Sequence, residues 1–265
     1  SSYSLPGVRD AEGYTFMGWS TKPMQSVSPQ YEAEEKITVN GNVDLYAVVF
    51  NRTTETDLTE DQLPQVDIYK YKQVIFVGDS RTEFMENVLT GMGESATKNV
   101  KFVCSAGKGL DWFTTTGWAQ LYSIVQHDSN SILSKKTAVI FNFGVNDLSK
   151  SADYAEYYNW IAPQLKSKGC ELYFMSVNPV NRLMLPNAGR ADRSEAAVRS
   201  FNQYMKANLS SAYTYIDMYS YLKSTGYSFA SDHYGTGTVD DGLHYTTRTY
   251  KRIFAKCMDS LRVPA

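Results

Sequence analysis

The sequence predicts an α/β protein, namely a three-layer α/β/α sandwich with a parallel central sheet, preceded by a small β-rich segment. From residue 70 onward, five short and almost continuously apolar runs alternate with longer amphipathic stretches. Such runs are typical of parallel strands buried on both faces, and their alternation with helices indicates βαβ units. Residues 1–50 instead contain β-rich runs and turn residues without helical periodicity.

The N-terminal β-rich segment contains the runs GYTFMGWS (13–20) and EKITVNGNVDLYAVVF (35–50). Within the second run, Asn40, Gly41 and Asn42 form a turn sequence that predicts a hairpin. Residues 51–69 are polar and acidic without apolar periodicity, which favours a linker that docks in part on a neighbour. We therefore expect a small β-rich module (1–50), a linker (51–69) and a larger α/β domain (70–265).

The five predicted strands of the larger domain are residues 73–78, 100–104, 137–144, 171–177 and 213–217. A helix is predicted over 192–209, where Val198, Phe201, Met205 and Leu209 recur at helical spacing. Asp192 and Glu195 stand at its start like a capping box. The sequence also predicts a final helix over residues 246–261.

Composition excludes several classes of function. The chain has 265 residues and a formal net charge of -2, so it lacks the basic character that nucleic-acid binding requires. Its three cysteines, Cys104, Cys170 and Cys257, form no cluster suited to a metal and are interpreted as small buried hydrophobic residues. No apolar segment approaches the ~20 residues of a membrane span. We expect neither a metal nor a cofactor.

Residues that follow the predicted strands carry the candidate chemistry, because the carboxyl ends of parallel strands meet at one edge of the sheet. In chain order these are Gly78-Asp79-Ser80, the glycines Gly107 and Gly109, Gly144-Val145-Asn146-Asp147, Asn178-Pro179, and Asp241 with His244. Together they resemble the four blocks of the SGNH (GDSL-type) hydrolases, which read GDS, a lone Gly, GxND and DxxH. The resemblance spans residues 70–261 and implies a flavodoxin-like sheet and ester hydrolysis.

Serine is a weak nucleophile until a base accepts its proton, and histidine suits that task near neutral pH. The resemblance makes Ser80 the nucleophile, His244 the base and Asp241 the residue that orients it. His127 lies in a polar helix end and His233 in a Gly-rich loop, without an aspartate at the matching offset. The adjacent Asp240 is the rival of Asp241.

The resemblance assigns the oxyanion donors to the backbone N–H groups of Ser80 and Gly109 and to the side-chain amide of Asn146. Gly107 is the alternative to Gly109. Many family members have Leu or Ile after the GDS serine, whereas Arg81 stands here. Arg81 either binds a polar substrate group or pairs with Asp79, Glu83 or Asp111. Asn178 and Gly107 are further candidate substrate-binding residues.

Residues 3–50 resemble the internalin-type B-repeat (Listeria-Bacteroides repeat), on the basis of GYTFMGW and LYAVVF, and the resemblance implies a small β-grasp-like module. This resemblance implies an exported bacterial protein, secreted or at the cell surface. We expect a serine esterase that removes short O-acyl groups from carbohydrates. A lipase or lysophospholipase and a non-catalytic adhesin or carbohydrate-binding protein are the alternatives. Because every candidate site residue follows residue 69, the sequence also predicts that residues 70–265 fold and act alone.

Overall fold

The computed structural model describes residues 1–128 and 135–261. Its centre is a five-stranded parallel sheet with the order β6-β5-β7-β8-β9. These strands are β5 (Tyr71–Gly78), β6 (Val100–Cys104), β7 (Lys136–Asn142), β8 (Cys170–Met175) and β9 (Tyr213–Ile216). Counted within the sheet, this is the 2-1-3-4-5 order of flavodoxin-like folds. The predicted fold class is confirmed, and each of the five apolar runs forms a strand.

Helices cover both faces of this sheet: α1 (Ser80–Met92), α2 (Leu110–Trp112), α3 (Trp118–Asp128), α4 (Ser151–Ser167), α5 (Glu195–Asn208), α6 (Met218–Thr225) and α7 (Thr247–Ser260). A π-helical turn, Phe113–Gly117, joins α2 to α3. On one face of the sheet, strand residues such as Val74 pack against α1, α6 and α7. On the other face, the alternate strand residues, such as Ile75, pack against α2–α5. No helix within the described ranges has both the length and the apolar character to cross a membrane.

Helix α5 begins later than its sequence suggests. Its N-cap is Ser194, whose hydroxyl oxygen accepts a hydrogen bond from the N–H of Ala197 at 3.2 Å. Asp192 instead accepts hydrogen bonds from the guanidinium of Arg182 at 2.6 and 2.7 Å. The capping box predicted from Asp192 and Glu195 is therefore wrong, because a nearby arginine binds the aspartate that would have capped the helix.

The N-terminal strands form two separate antiparallel pairs: β1 (Ser2–Ser4) with β3 (Lys36–Thr38), and β2 (Tyr14–Ser20) with β4 (Tyr46–Asn51). The hairpin predicted across residues 40–42 is wrong, since the strands on either side of it pair elsewhere. Pairing β2 with β4 brings Met17, Val48 and Phe50 into one buried cluster. Strand β3 has no buried residue to contribute.

Residues 1–69 share a core with the α/β part. Met17, Phe50, Leu63 and Val66 belong to the same apolar cluster as helices α1 and α7. The side chain of Glu55, in the predicted linker, is buried and pairs with Arg252 of α7 at 2.5 Å. The expectation that residues 70–265 act alone does not fit this shared core. The domain boundaries themselves stay a prediction.

Candidate active site

Three of the predicted residues form a chain of hydrogen bonds at the carboxyl edge of the sheet. Ser80 Oγ lies 2.8 Å from His244 Nε2, and His244 Nδ1 lies 2.6 Å from Asp241 Oδ2. The other oxygen of Asp241 accepts hydrogen bonds from the backbone N–H groups of Leu243 and His244 at 2.9 and 2.8 Å. Asp241 is thus fixed within the turn that carries the histidine. In this arrangement Nε2 can accept the proton of the serine hydroxyl.

Burial keeps the imidazole of His244 neutral. Burial lowers the pKa of His244 below its ordinary value of 6.5, and the cations Arg190 and Arg81 lower it further, while Asp241 opposes them. Burial acts to raise the pKa of Asp241, but its hydrogen bonds with His244 outweigh burial and the pKa is lowered. The histidine is therefore unprotonated, and the aspartate ionised, near neutral pH.

Phe84 covers the imidazole from α1. Its ring lies 4.4 Å from that of His244 and 4.5 Å from that of His233, measured between centroids. His233 is therefore at the border of the site, but it is exposed and stands one ring away from the hydrogen-bonded chain. His127 is exposed near the end of α3. Phe84 was not identified from the sequence, because no aromatic residue was considered as part of the site.

Two of the candidate oxyanion donors lie at the starts of helices. Ser80 is the first residue of α1, and Gly109 precedes the first residue of α2. The first N–H groups of a helix have no partner within it, and the helix dipole makes its N-terminus favourable for negative charge. Asp147 fixes the second loop, because its carboxylate accepts hydrogen bonds from the N–H of Leu110 at 2.9 Å and the hydroxyl of Tyr154 at 2.7 Å.

The third candidate donor, Asn146, is held from both ends of its amide. Its Nδ2 donates to the carbonyl of Lys108 at 2.8 Å, and its Oδ1 accepts from Arg193 Nη2 at 2.7 Å. Arg193 Nε also donates to the carbonyl of Val145 at 2.8 Å. Since an amide nitrogen carries two hydrogens, Asn146 retains one for a substrate.

Arg81 and Asn178 lie beneath the site. The buried guanidinium of Arg81 donates to the backbone carbonyls of Leu243, Asn178 and Pro179 at 2.7–2.8 Å. It does not form the acidic pairs considered from the sequence; it joins the loop after β8 to the turn that carries His244. The side chain of Asn178 is buried too, with its amide 3.5 Å from Met175 Sδ. Neither side chain is exposed to a substrate in this structure.

Asp79 contributes to the start of α1 and not to the hydrogen-bonded chain. One carboxylate oxygen accepts a hydrogen bond from the N–H of Arg81 at 2.9 Å, and the other is buried without a partner among the described residues. Burial raises the pKa of Asp79 to about 6. The side chain thus acts as the N-cap of the helix that begins with Ser80.

Sequence reasoning missed two arginines, Arg190 and Arg193. Arg190 Nε donates to Asp241 Oδ2 at 3.1 Å, so it contacts the residue that binds His244. The available indication was the sequence GRADRS, which places both arginines in a loop that follows the fourth strand of the sheet. Within the described ranges, no group of three or more His, Cys, Asp and Glu side chains is arranged to hold a metal ion.

Two family models match the chain. The family model of the GDSL-like lipase/acylhydrolases matches residues 74–257, and that of the Listeria-Bacteroides repeat domain matches residues 1–48. A search of curated proteins finds no match.

Three solved structures illustrate what the chain is similar to. A proposed SGNH hydrolase from Slackia heliotrinireducens is 12% identical, with a TM-score of 0.51 over 72% of this chain and 100% of its own. An acetyl xylan esterase is 13% identical (TM-score 0.49, 72% and 100% covered). The catalytic domain of peptidoglycan O-acetyltransferase A from Streptococcus pneumoniae is 16% identical (TM-score 0.41, 72% and 92% covered). The first of these likenesses shows a shared fold.

Proposed function

The chain belongs to the GDSL-like lipase/acylhydrolase family and is a serine esterase of the SGNH type, and from this premise we propose that Ser80, His244 and Asp241 are its catalytic triad. The observation that carries the proposal is the chain of hydrogen bonds from Ser80 through His244 to Asp241, of 2.8 and 2.6 Å. Its substrates are short-chain O-acyl esters, O-acetyl groups on carbohydrates above all.

The reaction proceeds through an acyl-enzyme. His244 accepts the proton of Ser80 as Oγ attacks the ester carbonyl, and the tetrahedral oxyanion is stabilised by the N–H groups of Ser80 and Gly109 and the amide of Asn146. The imidazolium then protonates the leaving alcohol and the acyl group remains on Ser80. Water, deprotonated by His244, attacks the acyl-enzyme, and the carboxylic acid leaves as Ser80 recovers its proton.

Replacement of the nucleophile tests the proposal directly. Ser80→Ala should abolish hydrolysis of aryl acetates while the far-UV circular dichroism spectrum is unchanged. The matched control is Ser224→Ala, since Ser224 is exposed near the end of α6 and its hydroxyl donates to the carbonyl of Tyr221 in the same helix. Near-normal kcat in Ser80→Ala would exclude the proposed triad.

A groove beside the candidate oxyanion loop supports a carbohydrate as the alcohol part of the ester. It has a volume of about 530 Å³ and is lined by Leu110, Thr114, Asp153, Glu156, Tyr157 and Trp160. Trp160 is 60% exposed, and its ring lies 5.6 Å from that of Tyr157. Exposed aromatic faces flanked by carboxylates suit the apolar faces and hydroxyls of sugars. Leu110 links the groove to Gly109, its neighbour in the chain.

The groove is tested by comparing two substrates. Trp160→Ala should lower kcat/KM on an acetylated polysaccharide by about tenfold, within the range of one lost aromatic contact. The same variant should leave kcat/KM on a small aryl acetate unchanged. Tyr69→Ala removes an aromatic residue that is 88% exposed and is the control. Equal effects on both substrates would count against a sugar site here.

Acyl-chain length separates this proposal from the lipase alternative. The loops that lead to the site are mainly polar and rich in glycine, and their exposed large apolar side chains, Leu183, Tyr234 and Val239, are scattered among polar residues. We therefore expect few contacts for acyl methylenes, each of which is worth about 0.8 kcal/mol on burial. Turnover on acetyl esters should exceed turnover on octanoyl esters by about tenfold, or roughly 1.4 kcal/mol. A preference for octanoyl or longer chains would favour a lipase.

The match of the N-terminal residues to a repeat family supports a location outside the cell. A Listeria-Bacteroides repeat at residues 1–48 favours a secreted or cell-surface bacterial protein that meets its substrate outside the cell. The adhesin alternative predicts that the wild-type protein binds its ligand without hydrolysing an ester. Wild-type hydrolysis that is lost in Ser80→Ala would exclude this alternative.

A further inference from the structure

We infer that the N-terminal repeat module takes part in hydrolysis by holding the loop whose Arg193 orients Asn146. This loop, residues 181–194, lies between β8 and α5 and ends at the N-cap of α5. The inference rests on the proposed function, because it assigns Asn146 to the oxyanion. It gives the module a role at the active site in addition to any role on a cell surface.

Glu34 of the module is bound to both ends of this loop. One of its carboxylate oxygens accepts from Arg182 Nη1 at 2.6 Å. The other accepts from the hydroxyl of Ser194 at 2.5 Å and from the N–H of Ala196 at 2.9 Å. Because Ser194 is the N-cap of α5 and directly follows Arg193, the module fixes the backbone that carries this arginine.

Further contacts hold the start of the loop. Asn181 Nδ2 donates to the carbonyl of Val8 and to Asp10, both at 3.0 Å, and Arg9 Nη1 donates to the carbonyl of Leu183 at 2.8 Å. Val8, Arg9 and Asp10, which make these hydrogen bonds, belong to the N-terminal module. The module thus holds the loop near its start and at its end, and not at a single point.

Arg193 transmits this attachment to the site. Its guanidinium binds Oδ1 of Asn146 and the carbonyl of Val145, so the plane of the amide follows the position of the arginine. A cation on the amide oxygen also makes the amide N–H a stronger donor. Arg193 is therefore a positioning residue, which acts on the reaction through Asn146.

The test compares kcat and KM for a small aryl acetate in the full chain. Arg193→Met should lower kcat by about tenfold or more with KM changed less than about twofold, because the lost orientation matters in the transition state. Arg193→Lys should fall between wild type and Arg193→Met. Glu34→Gln should lower kcat by about threefold or more, since an amide cannot accept all three hydrogen bonds of the carboxylate.

Glu35→Gln is the matched control, since Glu35 accepts from the N–H of Glu32 within the module, at 2.7 Å. Each kcat is divided by the concentration of active sites, titrated with an aryl phosphonate at a temperature where the variant is fully folded. This removes effects of unfolding from the comparison.

A double variant tests the connection itself. In an Arg193→Met background, Glu34→Gln should add little further loss, because both residues act on Asn146. Wild-type kcat in both single variants, or losses that multiply fully in the double variant, would overturn the inference. Neither result would affect the proposed function, which depends on Ser80→Ala.

Discussion

At the scale of single residues, two neighbouring aspartates have different surroundings. Asp241 binds the imidazole of His244, whereas Asp240 pairs with Arg52 at 2.5 Å and accepts the N–H of Gly242 at 2.8 Å. Asp241→Asn should therefore lower kcat by about a thousandfold or more, because an amide stabilises the wrong tautomer of the imidazole. Asp240→Asn should lower it by less than about tenfold. Steady-state kinetics of the two variants checks this assignment. A lower kcat in Asp240→Asn than in Asp241→Asn would contradict it.

The pH dependence of hydrolysis follows from the pKa of His244. Only the neutral imidazole accepts the serine proton, and burial together with Arg190 and Arg81 lowers its pKa below 6.5. Activity should therefore persist as the pH falls through 6.5, and the acid limb of kcat/KM should have its midpoint below that value. Arg190→Gln removes one cation, so it should raise the pKa of His244 and move the limb to higher pH.

A control for this shift is Lys101→Gln, which removes one positive charge from an exposed position of β6. Its acid limb should match that of the wild type. If Arg190→Gln leaves the limb in place or moves it to lower pH, Arg190 has no electrostatic effect on the histidine.

The site residues differ in how far their positions could be predicted from the sequence. Asp241 and His244 are three residues apart, so one turn brings them together, and Ser80 and Asn146 follow strands of one sheet. The partners of Arg81 and Arg193 are backbone carbonyls and an amide from distant loops, and no local pattern marks such acceptors. Their roles become visible only once the loops are in place.

At the scale of elements, the loop after β6 contains two glycines with different requirements. A Cβ on Gly109 would lie 2.4 Å from Asp147 Oδ2, whereas a Cβ on Gly107 would have no atom within 4 Å. Gly107 has a φ of 72°, so an alanine there costs only about 1 kcal/mol of backbone strain. Gly109→Ala should displace the loop from Asp147 and lower kcat by about a hundredfold, as for a misplaced oxyanion donor.

Gly107→Ala is the paired variant and should keep kcat within about threefold of the wild type. The comparison shows which of the two glycines must lack a side chain for the loop to stay against Asp147. A larger loss of kcat in Gly107→Ala than in Gly109→Ala would contradict this account of the loop.

The sequence predicts the boundaries of helices and strands where the apolar pattern determines them. It does not predict them where a helix begins at a capping residue. The five strands follow from runs that are apolar on both faces, which one sheet between two helical layers requires. The start of α5 depends on Asp192, which could have capped the helix had Arg182 not bound it. The N-terminal strand pairing depends on which face of β4 is buried, and a local turn sequence carries no information about that.

At the scale of the whole molecule, the shared core makes stability a common property of the two parts. Phe50 is 6% exposed and packs in the cluster that includes α7, while its neighbour Val49 is 36% exposed on the same strand. Phe50→Ala should lower the free energy of unfolding by about 3–5 kcal/mol, and Val49→Ala by less than about 0.5 kcal/mol.

Urea unfolding followed by tryptophan fluorescence and by residual esterase activity measures whether this cooperation holds. Because the core is continuous, the wild type should show one transition in which fluorescence and activity are lost together. Phe50→Ala should move both midpoints to lower urea by the same amount, although the substitution lies in the N-terminal segment and every proposed catalytic residue lies after residue 69. The contrary result is two separate transitions, with Phe50→Ala shifting only the transition in which fluorescence changes and activity is kept. That result would show that the module unfolds independently and that residues 70–265 hold the active site by themselves.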